Sequence, residues 1–249
     1  MIEKETTETI PSVDFHIDRM CNIKALNIMI KNHSKAIDAI QNSIDVIDLS
    51  VNKIVKVLSQ NSKSKLIYVG AGTSARIAVQ DGVELHPTFG WPHCRVKFII
   101  AGGKKALTRS VEGAEDLSNK KIEEVVKDLI QPDDVVIGLA ASGSTKFTVD
   151  VIKFANKLGA LTVGISNNMN TKLERCSKIP IVLNTGMEIV AGSTRLKAGT
   201  SQKICLNLIS TLVMARLGRV KKGMMNNMVV TNKKLLLRKK NIDLLLSQN

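Results

Sequence analysis

Residues 65–90 read KLIYVGAGTSARIAVQDGVELHPTFG, and the fold turns on this stretch. Lys65 to Val69 form a short, β-branched and apolar run that fits a buried parallel strand. Gly70-Ala71-Gly72 breaks the run, and Thr73-Ser74 open a segment with helical spacing. A strand, a glycine turn and hydroxyls at a helix start make a ready anion site. Backbone N–H groups point outward there, the helix dipole favours negative charge, and glycine lets the backbone approach a ligand. Alone, the same pattern describes any tight strand-to-helix connection. Glu84 adds a carboxylate about three helical turns downstream, in a stretch that Pro87 and Gly90 terminate.

Outward from this unit, strands and helices alternate. Val96–Ala101 is the second expected strand, followed by Gly102-Gly103, and residues 105–112 and 118–130 read as helices. Asp134–Ala141 is the third strand and ends in Ser142-Gly143-Ser144-Thr145, before a helix over 146–158 that Gly159 stops. Leu161–Ser166 and Ile179–Leu183 supply the fourth and fifth strands. Such alternation implies right-handed βαβ units and the fold class α/β: a doubly wound, parallel five-stranded sheet with flanking N- and C-terminal helices. Ligands of such sheets bind at the carboxyl ends of the strands. Three polar, glycine-containing loops fall there: Gly70–Ser74, Gly102-Gly103 and Ser142–Thr145. Amides and hydroxyls at Gly72, Thr73, Ser74, Ser142, Gly143, Ser144 and Thr145 suit a phosphate monoester, which accepts many hydrogen bonds.

The flanks divide the chain into an N-terminal helical segment (1–60), a phosphate-binding α/β unit (61–220) and a C-terminal helical tail (221–249). Residues 1–16 lack periodicity and are expected to wrap the surface. Ile37, Ile40, Ile44, Ile47, Val51, Ile54 and Leu58 recur by three and four, which predicts one long amphipathic helix over 35–60, preceded by a shorter one over Met20–Met29. Ser193 reads as the N-cap of a helix from Thr194 to Leu217 with Gly218 at its end. Arg195 and Lys197 then stand in a first turn that normally prefers acids, a placement suited to an anion lying in front of them. Met224 to Gln248 is helical in pattern.

Composition narrows the function classes. The 249 residues are 44% hydrophobic and only 3% aromatic, so the core is aliphatic. No run approaches the roughly 18 apolar residues that span a bilayer, and the N-terminus MIEKETTETIPS is acidic and polar rather than leader-like. Cys21, Cys94, Cys176 and Cys205 are widely spaced, as expected of reduced thiols in a cytoplasmic protein. The net charge of +14 includes a basic tail with almost no aromatics, read as a solvated lysine-rich face rather than a nucleic-acid surface. The remaining positive surplus favours an anionic small substrate. No G-x-x-x-x-G-K-[ST] motif is present, and no acidic residue follows the glycine turn where a ribose needs one. Glu84 and Glu115 are the carboxylates near the loops, and two such groups divide acid and base roles when their surroundings differ. Glu112 and Asp116 rival Glu115, and spacing does not choose among them. His86 and His93 lack a third ligand at sensible spacing, so no metal is expected.

With these residues in view, the chain resembles the N-acetylmuramic acid 6-phosphate etherases, sugar isomerase (SIS) domain enzymes of cell-wall sugar recycling. The resemblance runs from about Asp18 to Leu235 and rests on four blocks in order: LIYVGAGTSARIAVQDGVELHPTFG, ALTRSVEGAED, AASGST and AGSTRLKAGTSQK. It implies a flavodoxin-like SIS sheet that binds sugar phosphate, Glu84 as proton donor, Glu115 as the other catalytic group, and cleavage of a lactyl ether without metal or organic cofactor. It also implies a homodimer, with neither nucleic acid nor membrane as partner. Ala75 and Ala78 stand where that family usually has glycine, Lys146 where it has proline, and family members continue past Asn249 into a further helical segment. Rival readings are a non-catalytic sugar-phosphate sensor, a ketose–aldose isomerase and a DNA-binding regulator. Retention of both glutamates favours the lyase over the sensor. The stripe in residues 1–60, with no helix-turn-helix, disfavours the regulator.

Overall fold

The computed structural model describes residues 6–114, 119–230 and 233–247. Strands β1 (Leu66–Gly70), β2 (Val96–Ile100), β3 (Val135–Leu139), β4 (Leu161–Ser166) and β5 (Ile179–Val182) lie parallel in the order β2-β1-β3-β4-β5. Every residue of β1 and β3 is buried, which is why LIYVG and VVIGL run apolar instead of alternating. Pro180 falls in β5, at the sheet edge, where a missing N–H costs no ladder bond.

Helices cover both faces. Leu66 and Tyr68 turn toward α2 (Ile44–Gln60), α3 (Gly72–Phe89) and α7 (Lys197–Arg216), with α1 (Asn22–Gln41) packed against α7. Ile67 and Val69, one residue out of phase, turn toward α4 (Asn119–Val126), α5 (Lys146–Lys157) and α6 (Lys172–Cys176). The amino ends of the strands are pinned by two charges, one buried and one half-buried. Asp134, 1% exposed, accepts the N–H groups of Lys65 (2.7 Å) and Gln131 (2.8 Å) and pairs with the Lys65 ammonium at 3.0 Å. Arg95 lies over the Trp91 ring and donates to the carbonyls of Ser64 and Leu58 at 2.8 and 2.9 Å.

The flanks depart from expectation. Instead of a short helix followed by a long one over 35–60, the chain makes α1 and α2, broken at Asn42-Ser43. The Ser43 hydroxyl turns back onto the Ala39 carbonyl at 2.9 Å and lies 3.2 Å from the Val182 carbonyl of β5, which competes with helix continuation. The apolar stripe is thereby split. Ile40, Ile47, Val51, Ile54 and Leu58 are buried, whereas Ile37 and Ile44 are 48% and 57% exposed, alongside exposed Ile23, Leu26 and Ile30. Residues 105–112 are not a helix but a 3-10 turn over Gly103–Leu107 and an irregular loop. The last helix, α8 (Lys233–Ser247), starts later than Met224 because the segment before it is tied elsewhere: the Val229 N–H donates to the Pro87 carbonyl. Near the N-terminus, Thr7 is fully buried. Asn168 beyond β4 accepts its N–H and donates to its hydroxyl, and its carbonyl accepts the Gly192 N–H.

Candidate active site

The order β2-β1-β3-β4-β5 reverses direction between β1 and β3, and the loops leaving those two strands flank the crevice where such sheets bind ligands. Helix α3 begins at Gly72 with Ala71 as its N-cap, so its first amides have no partner within the helix. The two hydroxyls of the loop point apart. Ser74, 8% exposed, donates inward to Gln202 Oε1 on α7 at 2.8 Å. Gln202 Nε2 in turn donates to Asn167 Oδ1 (3.0 Å), and Asn167 Nδ2 donates to Ser201 and to the Leu183 carbonyl (2.8 and 2.9 Å). This buried relay fixes the carboxyl ends of β1, β4 and β5 against α7, whereas Thr73 lines a cavity on the β2 side of the loop. Ala75 and Ala78, each 2% exposed, turn their methyls into the interior, so neither departure narrows the cavity wall.

The loop after β3 is equally ordered. Gly143 has φ +68°, and a Cβ there would stand 2.4 Å from Thr171 Oγ1, so only glycine fits. Its N–H donates to the Ala140 carbonyl and its carbonyl accepts from Leu173, while the Ser144 N–H donates to the Ser142 hydroxyl at 3.1 Å. Ser142, Ser144 and Thr145 are half-buried at the rim, and Thr145 precedes α5. Lys146 occupies the first helical position, where proline is favoured, and pairs with Asp150 one turn on.

A cavity of about 270 Å³ opens between α3 and the loop that follows β2, lined by Gly72, Thr73, Arg76, Arg109, Ser110 and Ala114 among others. Sequence reasoning missed Arg76, Arg109 and Ser110. The signal was present, since Arg76 stands one turn from Gly72 and the other two sit inside ALTRSVEGAED. Glu112 is exposed and does not line this cavity. Glu115 and its rival Asp116 lie outside the described residues, next in sequence after Ala114.

Glu84 is elsewhere on the chain. It is exposed on α3, about 18 Å along the helix from Gly72, and lines a second cavity of about 270 Å³ with Asp81, Lys203 and Asn207. Asp81 is buried and accepts from Tyr68 Oη (2.8 Å), Asn207 Nδ2 (2.7 Å) and Ser210 Oγ (2.9 Å). Burial, reinforced by Asp81, holds the Tyr68 phenol well above its ordinary range. Within one chain, Glu84 is therefore not brought to the glycine loops.

Helix α7 starts at Lys197, not Thr194, and its N-cap is Leu196 rather than Ser193. The reason lies in the preceding loop, where the fully buried Glu188 accepts the Ala198 N–H at 2.9 Å and so caps the helix with a distant carboxylate. Lys197 is not a rim cation. It is fully buried, its ammonium donates to the Met187 carbonyl, and burial lowers its pKa while raising that of Glu188. Arg195 stays exposed in the turn before the helix. His86 and His93 stack with ring centroids 3.7 Å apart at the far end of α3, with His86 Nδ1 2.9 Å from the Trp91 carbonyl. Among the described residues no three metal-ligating side chains gather, and no helix is long and apolar enough to cross a membrane.

Comparison with known proteins gives the family. The family model for the glucokinase regulatory protein N-terminal SIS domain matches residues 49–156, and that for the SIS domain matches residues 116–212. An N-acetylmuramic acid 6-phosphate etherase of Bacillus cereus (strain ATCC 10987 / NRS 248) is 41% identical over 242 residues, covering 97% of this chain and 82% of the relative. One from Bacillus cytotoxicus is 39% identical with the same coverage. A phosphoheptose isomerase from Francisella tularensis superposes with a TM-score of 0.59 at 16% identity, covering 79% of this chain and 100% of its own. An E. coli protein solved as a ligand complex gives a TM-score of 0.57 at 15% identity, covering 82% and 97%. At these identities the two solved structures speak to the fold alone.

Proposed function

The chain belongs to the N-acetylmuramic acid 6-phosphate etherases, and from that premise we propose how its residues divide the work of cleaving the lactyl ether. The reaction is that of a carbon–oxygen lyase, yielding N-acetylglucosamine 6-phosphate and D-lactate from N-acetylmuramate 6-phosphate. The observation that carries this reading is 41% identity over 97% of the chain, a span that takes in the whole sheet and both loops at its switch point.

An ether oxygen is a poor leaving group. Opening the sugar to its aldehyde makes the C2 proton acidic, and loss of that proton lets the C3–oxygen bond break. Glu115 removes the C2 proton, and Glu84 protonates the departing lactate oxygen. Water then adds at C3 of the unsaturated aldehyde, with the two carboxyl groups reversing their roles. Thr73, Ser142, Ser144 and Thr145, with the backbone amides at Gly72 and the start of α5, hold the phosphate. Ser74 and Gly143 shape those loops from behind, as their internal hydrogen bonds suggest. Arg195, exposed at the turn before α7, adds positive charge on the approach, whereas Lys197 serves the interior.

The site is completed by a second copy of the chain. Glu84 stands about 18 Å along α3 from its own glycine loop, and the exposed apolar residues Ile23, Leu26, Ile30, Ile37 and Ile44 offer a face for pairing. The four thiols are unpaired, which fits work in the cytoplasm. The test is a lactate-release assay on the purified chain, run also in deuterated water. Lactate together with deuterium at C2 of the sugar product is expected; lactate with an unlabelled product would rule out proton abstraction at C2.

A further inference from the structure

We propose that Arg76 and Arg109 receive the carboxylate of the lactyl group, so that this pair distinguishes the ether substrate from its own sugar product. The inference rests on the etherase reading and adds a second anion receptor to it. Both arginines line the cavity beside the β1 loop, and none of the ion pairs among the described residues involves either of them. Two cations facing one cavity, with no carboxylate among its described lining residues, repel each other and gain when an anion enters.

Their placement is fixed from the backbone. Arg76 is half-buried one turn into α3; its Nε donates to the Ala106 carbonyl at 3.2 Å and its Nη2 lies 3.5 Å from the Arg109 carbonyl. These contacts set the plane of one guanidinium and draw the turn bearing the other against the helix. Arg109 and Ser110 are exposed at the lip, and Lys104 and Lys105 in the preceding turn add positive charge.

The ligand's own chemistry assigns the role. The substrate carries two anions, and the amides and hydroxyls at the starts of α3 and α5 already provide for the phosphate. The lactyl carboxylate is planar and two-pronged, which matches a guanidinium fork.

The experiment compares Arg109→Gln and Arg109→Lys with wild type, since Arg109 is exposed and its loss leaves the fold intact. Lactate release gives kcat/KM for N-acetylmuramate 6-phosphate, and competition by N-acetylglucosamine 6-phosphate reports a ligand with the phosphate but no carboxylate. The expected result is a roughly 10- to 100-fold fall in kcat/KM for Arg109→Gln, in line with loss of a charged hydrogen bond, partial rescue by Arg109→Lys, and sugar-product inhibition within twofold of wild type. A parallel loss for both sugars would place the phosphate at these arginines and overturn the assignment, as would an unchanged kcat/KM. Should the wild type release no lactate, the etherase reading fails separately. Calorimetry of both sugars then decides: tighter binding of the muramate sugar that depends on Arg109 upholds the inference, and equal binding sinks it.

Discussion

Thr73 and Ser74 are adjacent hydroxyls that sequence cannot tell apart, and the structure gives them different work. What separates them is Gln202, 128 positions away, whose Oε1 draws Ser74 inward. Lys197 was misread for a related reason: the carboxylate that caps α7 comes from Glu188 in the loop before it, so no local pattern announces that the lysine is buried. The separation of Glu84 from the glycine loop was legible, since about three helical turns in sequence are the roughly 18 Å found along α3. The residues that surround it, Asp81, Lys203 and Asn207, were not, because two of them come from α7. The assigned roles make a direct prediction. Glu84→Gln and Glu115→Gln should each lower kcat by roughly 10²–10⁴, as loss of a general acid or base does, with inhibition by N-acetylglucosamine 6-phosphate largely kept. Turnover like wild type in either variant would remove that residue from the mechanism.

Among the elements, the five strands were readable to within a residue or two because both faces of the sheet are covered and glycine loops mark the strand ends. The helices in the first sixty residues were not. An uninterrupted three-and-four periodicity ran through Asn42-Ser43, and only the approach of the β5 carbonyl end to Ser43 shows why the helix breaks there. The break sorts the apolar stripe into two kinds of position. Ile47 is 5% exposed and belongs to the core, while Ile44 is 57% exposed. Ile47→Asp should therefore unfold the chain, costing at least about 3 kcal/mol for a buried unpaired charge. Ile44→Asp should change the unfolding free energy by no more than about 0.5 kcal/mol yet shift the protein toward monomers and lower lactate release. Light scattering that finds the Ile44→Asp variant still paired, with full activity, would exclude this face from the proposed dimer.

At the scale of the whole molecule, the interior leaves a mark on alkaline stability. Cys205 is fully buried on α7, and desolvation, with help from Asp81, pushes its thiol from 9.0 to about 12. A raised folded pKa means that the unfolded chain releases the proton first as pH rises. The stability is intact below pH 9 and declines between 9 and 12, by about 4 kcal/mol at the upper end for this group. Tyr68 continues the same trend at higher pH. Urea unfolding across this range should show the decline, and Cys205→Ala should flatten it while lowering stability at pH 8; a flat wild-type profile would contradict the buried-thiol account. The seat of Thr7 has a practical consequence of a different kind. Asn168 and Gly192 hold it, and Asn168 also donates to the carbonyl of Ala141, so Thr7 sits beside one of the loops proposed to hold the sugar phosphate. An N-terminal purification handle should then behave as a tethered plug: KM rises, kcat is unaltered, and proteolytic removal of the handle restores access.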